Sequence, residues 1–170
     1  MNIILTGFMG TGKSAVGRRL ALDYGFSFYD LDDIIAASSG ISIKEIFATL
    51  GEPEFRRLES EAIERFASGV YGSNCVLSTG GGAVLKKANR DALRHWGKVI
   101  LLTASVDEIL KRVGDGDARP LLAGPDRCEV ILRLMAERGE AYRDCDFIVD
   151  TTGLSIADVV DKIWACLKEK

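Results

Sequence analysis

Residues 7–14 read Gly7-Phe8-Met9-Gly10-Thr11-Gly12-Lys13-Ser14, a complete G-x-x-x-x-G-K-S loop directly behind the apolar stretch Asn2-Ile3-Ile4-Leu5-Thr6. That order predicts a buried strand, a glycine-rich turn and a helix from about Ser14. The glycines let successive backbone N–H groups converge on phosphate oxygens, and the helix N-terminus adds its partial positive charge. Lys13 has the reach for the β- and γ-phosphates, and the Ser14 hydroxyl is suited to ligating Mg²⁺. A glycine turn without a ligand has no need of the Lys-Ser pair at this spacing. The stretch therefore implies a bound nucleoside triphosphate and leaves open what is done with it.

Working outward, five short apolar runs alternate with helical patterns, at 3–5, 26–29, 75–78, 99–102 and 147–149. Such alternation predicts an α/β fold, a parallel sheet wrapped by helices. Ser42 with Glu45 and Ser105 with Glu108 fit the capping-box spacing, and Ser155 with Asp158 resembles it. Over 155–168, Ile156, Val159, Val160, Ile163, Trp164 and Leu167 share one face, which predicts a closing amphipathic helix. With no repeat or long linker, residues 1–170 are expected to form one domain. The stretch 113–125 interrupts the pattern with three glycines, two prolines and Arg119. A loop of that length is expected to act as a lid carrying a cation.

Composition narrows the function classes. A formal net charge of −3 argues against a general nucleic-acid binder, so an anionic ligand must be held by a local basic cluster. No apolar run approaches a membrane span, and a strand beginning at residue 2 leaves no expected signal peptide. Cys75, Cys128, Cys145 and Cys166 form no C-x-x-C and are expected to be reduced packing residues, which points to the cytoplasm.

Ligands of open parallel sheets bind beyond the carboxyl ends of the strands. The phosphate loop follows the first run, Asp30-Leu31-Asp32 the second, Thr79-Gly80-Gly81-Gly82 the third and Asp150-Thr151-Thr152-Gly153 the last. Were the second strand to continue, Asp30 and Asp32 would share a face, one holding Mg²⁺ through water and one accepting a hydroxyl proton. Capping of a helix at 33–38 is the competing account of either carboxylate. Gly80–Gly82 offer backbone only, as a floor for an acceptor. Arg56, three residues before Glu59, and Arg138 read alone as surface ion pairs; turned into one cleft they would grip a carboxylate. His95 is the only histidine and is expected on the surface.

No Asn-Lys-x-Asp occurs, which excludes a GTPase switch, and the final Phe147-Ile148-Val149-Asp150 lacks the context of a motor ATPase. A small-molecule kinase remains. The phosphate loop, Asp30-x-Asp32, Phe55-Arg56-Arg57, Ser78-Thr79-Gly80-Gly81-Gly82, Arg119-Pro120-Leu121-Leu122 and Arg138-x-x-x-Tyr142 together resemble the shikimate kinases over nearly the whole chain.

The resemblance implies a three-layer α/β/α P-loop fold of the NMP-kinase type, with a five-stranded parallel sheet in the order 2-3-1-4-5. It implies transfer of the ATP γ-phosphoryl group to the 3-hydroxyl of shikimate. Carried over position by position, Gly10, Thr11, Gly12, Lys13, Ser14 and Ala15 would hold ATP. Arg112 would stack on adenine, and the loop at 150–155 would cover the base's other side. Ser14, with Asp30 behind it, would hold Mg²⁺. Asp32, Arg56, Gly80, Gly81, Gly82 and Arg138 would hold shikimate within an acceptor region at about 32–62 and beyond. Lys13, Asp32 and the lid residue Arg119 would be catalytic. A monomer acting on a small molecule is expected, with no nucleic-acid or membrane partner. A gluconate-type kinase and a nucleotide-binding module without turnover remain as alternatives.

Overall fold

The computed structural model describes residues 1–114 and 126–168. Strands β1 (Ile3–Thr6), β2 (Ser27–Asp30), β3 (Cys75–Ser78), β4 (Lys98–Thr103) and β5 (Phe147–Asp150) form one sheet in the order β2-β3-β1-β4-β5. Every pairing is parallel, with Leu5 facing Ser78 on one side and Ile100 on the other. All five runs read as strands are strands, and the expected order holds.

The central strand is apolar from Ile3 to Leu5 because both its faces are covered, and Thr6 ends it buried. Side chains alternate across the sheet. Ile3 and Leu5, with Val76, Ile100, Leu102 and Val149, pack under α1 (Lys13–Tyr24) and the closing helix Ile156–Lys168. On the opposite face lie Ile4, Leu77, Val99 and Leu101. They are covered by α2 (Leu31–Ser39), α4 (Gly51–Ala67), α5 (Lys87–Trp96), α6 (Val106–Val113) and α7 (Arg127–Tyr142). The result is three layers. The closing helix is α8, and Val159, Val160 and Ile163 are its buried side chains. Ile156, expected on the same face, is 46% exposed in the first turn, ahead of the stretch that lies against the sheet.

The capping signals hold in part. Ser42 and Glu45 form a reciprocal box that opens α3 (Ile43–Glu45), which runs into a single π-helical turn at Ile46–Leu50. Ser155 and Asp158 reciprocate in the same way. Ser105 accepts from the Glu108 N–H, but the Glu108 carboxylate is drawn to Arg112 instead of closing the box. The helix expected at 33–38 spans Leu31–Ser39.

All four cysteines are free thiols, with Cys75 buried and Cys145 and Cys166 half-buried. Cys128 departs from the expected packing role: it is exposed in the first turn of α7. His95 is exposed, as expected. Among the described residues no single helix is long and apolar enough to cross a membrane. Of the expected lid at 113–125, Val113 and Gly114 end α6, while the remainder, Arg119 included, lies outside the described residues.

Candidate active site

The phosphate loop leaves β1 with Gly7 at φ 141°, and a Cβ there would overlap the Leu102 carbonyl of the neighbouring strand. Only glycine can begin this turn. Gly10, Gly12, Lys13, Ser14 and Ala15 line a cavity of 310 Å³ beyond the carboxyl end of the sheet. Thr11, expected beside them, turns its hydroxyl inward to the Phe8 carbonyl at 2.8 Å and is buried. Lys13 Nζ donates to the same carbonyl at 2.9 Å, so the side chain folds back over its own loop.

Asp30 and Asp32 are not on one face of a strand. β2 ends at Asp30, which caps α2 by accepting from the Asp32 N–H at 3.1 Å, and Asp32 stands in the first helical turn. Capping and site chemistry coexist in Asp30, because its other oxygen accepts from Ser14 Oγ at 2.6 Å. That pairing of hydroxyl and carboxylate is a set of hard oxygen donors. Among the described residues no group of three or more His, Cys, Asp or Glu side chains converges as a metal cage. The oxygen pair fits Mg²⁺, which binds through one or two protein oxygens and otherwise through phosphates and water.

Arg112 is held by three elements. Nε donates to Glu108 Oε1 at 2.8 Å, Nη1 to Thr151 Oγ1 at 2.8 Å and Nη2 to the Thr151 carbonyl at 2.7 Å. A longer contact, 3.4 Å, reaches the Gly10 carbonyl. Arg112 thus fastens α6 and the phosphate loop to the loop after β5. Asp150 serves that loop by accepting from the Thr152 N–H and hydroxyl, and these bonds pull its carboxyl below the usual range.

A second cavity, of 450 Å³, adjoins the first. Arg56, Arg138, Asp32 and Gly80–Gly82 all line it, so the structure brings together side chains that are far apart in sequence. Arg56 faces inward from α4. Glu52 Oε1 accepts from its Nε and Nη2 at 3.3 and 3.1 Å, and Glu59 Oε2 from Nη1 at 2.8 Å. Gly82 permits that position, since a Cβ there would come within 2.5 Å of the Arg56 guanidinium nitrogens. Arg138 is 7% exposed, its guanidinium 5.8 Å from the Phe8 ring centroid and its Nη1 3.4 Å from the Gly81 carbonyl. Asp32, Gly80 and Gly81 line both cavities and form the boundary between them.

Sequence reading missed two parts of this site. Glu59 was legible only as a partner for Arg56, yet it is 1% exposed and Oε1 has no hydrogen-bond partner among the described residues. Burial pushes its carboxyl above the usual range, and the nearby Arg56 only partly offsets this. The apolar wall is the other part: Phe47 on the π-helical turn and Phe55 on α4, with ring centroids 4.6 Å apart. No spacing signal marks a π-helical turn.

The family model for shikimate kinase matches residues 9–168. A shikimate kinase of Geobacter metallireducens is 49% identical over 167 residues, covering 98% of this chain and 92% of the relative. The solved shikimate kinase from Acinetobacter baumannii in complex with shikimate superposes with a TM-score of 0.92 at 33% identity, over 99% of this chain and 93% of that one. A gluconokinase from Sinorhizobium meliloti superposes at only 0.58 and 19% identity over 99% and 91%, a likeness of fold alone. By sequence along its whole length and by backbone, this chain belongs to the shikimate kinase family, the P-loop enzymes that use ATP and Mg²⁺ to phosphorylate shikimate.

Proposed function

We propose that the 310 Å³ cavity receives the triphosphate of ATP and the 450 Å³ cavity shikimate, with transfer across the boundary formed by Asp32, Gly80 and Gly81. The shared boundary carries this reading. A nucleotide-binding module without turnover has no use for a second cavity lined by two arginines and a buried carboxylate.

Each residue then has a physical task. Backbone N–H groups of the phosphate loop and the Lys13 ammonium take up phosphate charge. Ser14, with Asp30 behind it, would hold Mg²⁺, which would supply positive charge against the charge that develops on the phosphate. Arg56 and Arg138 take the acceptor carboxylate, and Glu52 and Glu59 hold Arg56 in place. Asp32 accepts a hydrogen bond from the reacting hydroxyl. The hydroxyl oxygen bonds to the γ-phosphorus as the bond to the β–γ bridging oxygen breaks; that electron pair stays on ADP and the hydroxyl proton passes to Asp32. Such a transfer depends on positioning and electrostatics, with little covalent work for the protein. Arg112 faces the adenine, and Arg119 approaches from a lid at about 113–125 to stabilise the phosphoryl group in transit. Residues 1–170 act as one kinase domain, a cytoplasmic monomer by this reading.

The test is an ADP-release assay coupled to NADH oxidation, with shikimate, gluconate and other hydroxy acids as acceptors. Shikimate-dependent turnover is expected. Turnover with gluconate and none with shikimate overturns the acceptor assignment, and sedimentation as a dimer overturns the monomer.

A further inference from the structure

Tyr142, the last residue of α7, lines neither cavity, yet its phenol is 7% exposed and donates to the Gly81 carbonyl at 2.5 Å. Arg138, one turn earlier on the same helix, reaches that carbonyl only at 3.4 Å, so the phenol is the stronger anchor. Gly81 is closely surrounded: a Cβ on it would have Arg138 Nη1, the Gly7 carbonyl and the Tyr142 hydroxyl each at 3.5 Å.

The segment needs an anchor from outside. It lies past the end of β3, where it makes turn bonds from Ala83 N–H to the Gly80 carbonyl and from Leu85 N–H to the Gly82 carbonyl. Three successive glycines have the largest backbone freedom to lose. In a planar trans peptide the C=O and the following N–H point in opposite directions. Pinning the Gly81 carbonyl therefore sets where the Gly82 N–H points and how high the floor stands. Burial pushes the Tyr142 phenol up, with Arg138 only partly opposing, so it remains an O–H donor through the neutral range.

We propose that Tyr142 is a positioning residue for the acceptor: its hydroxyl pins the glycine floor through Gly81 and keeps that floor in register with Arg138 one helical turn away. The inference rests on reading the 450 Å³ cavity as the shikimate site.

Tyr142→Phe tests it, because the ring stays in the core and only the hydroxyl is lost. The KM for shikimate should rise about tenfold, the scale of one buried hydrogen bond, with kcat within about twofold and the KM for ATP unchanged. An unchanged shikimate KM overturns the proposal. A parallel rise in both KM values with a lowered melting temperature also overturns it, since that marks a general loosening. Arg138→Lys assayed alongside separates the two levels. If it raises the shikimate KM while Tyr142→Phe does not, the acceptor site stands and the Tyr142 role falls. If the unmodified enzyme does not use shikimate, the underlying reading falls.

Discussion

Asp32 and Glu59 meet across Gly80: a Cβ on that glycine would lie 3.5 Å from Asp32 Oδ1 and 3.2 Å from Glu59 Oε1. Two carboxylates from different helices thus crowd one wall of the 450 Å³ cavity, and Arg56 supplies the opposing charge. Burial raises the Glu59 carboxyl, the Arg56 guanidinium draws it back, and the Asp32 charge adds to the rise.

That crowding predicts an acid limb in catalysis. Below its raised pKa Glu59 takes up a proton and Arg56 loses its buried partner. The kcat/KM for shikimate should therefore fall with pH starting above the ~4.3 of an ordinary glutamate. Glu59→Gln should lie about tenfold lower and lack the limb, which a pH series of kcat/KM reads directly. Stability runs the other way, because the folded carboxyl keeps a proton that the unfolded one releases. Its contribution is full below the unfolded pKa of ~4.3 and is lost as pH rises through the raised native value. Urea midpoints of the unmodified protein should fall relative to Glu59→Gln over that interval.

Gly82→Ala should strike the acceptor alone. The new methyl would sit 2.5 Å from the Arg56 guanidinium and displace it from Glu59. A loss of at least about tenfold in shikimate affinity is expected, with ATP affinity held, as measured by calorimetric titration of each ligand. Equal weakening of both ligands would contradict the separation of the two halves.

Arg119→Ala should lower kcat by about 10³-fold with little change in shikimate KM, the loss expected when a cation touches only the transferring phosphoryl. Steady-state kinetics decide it. A change confined to KM would remove Arg119 from the reaction.

Asp146 makes a prediction about the scaffold. Its carboxylate accepts from the Val99 N–H at 2.9 Å and from Lys98 Nζ at 3.3 Å, tying the start of β4 to the approach to β5. Burial raises this carboxyl, but those bonds outweigh it and leave the group below its usual range. The stability it brings is therefore present above the unfolded pKa of ~3.9 and lost as pH falls through the depressed native value. Asp146→Ala should cost about 1.5–3 kcal/mol at neutral pH. Chemical denaturation should show that gap closing in acid.

The sheet was legible because buried parallel strands leave apolar runs too short for a helix, each bounded on at least one side by Gly, Asp or Thr. The donor loop was legible because its chemistry is local, eight consecutive residues whose order is their geometry. Asp30 and Asp32 stood between two readings, a continued strand and a helix cap, since spacing cannot say whether a chain extends as a strand or turns into a helix one residue later. Arg56 and Arg138 could be named but not joined, because 82 positions separate them and only the packing of α4 and α7 on one face of the sheet brings them to one cavity. The burial of Glu59 has no signature in a polar helix; it exists only once the glycine segment lies against it.

The bond from the Thr79 N–H to the Leu5 carbonyl, 3.0 Å, ties the exit of β3 to the end of β1. The phosphate loop grows from one of these strands and the glycine floor from the other. Adjacent strands stand about 4.8 Å apart in every β-sheet. On the proposed assignment, the strand ends that carry the donor and acceptor sites are held one main-chain pitch apart, with side chains such as Tyr142 setting only the finer position of the floor. Replacements on the helices that line the second cavity would then change which acceptor fits without changing that pitch.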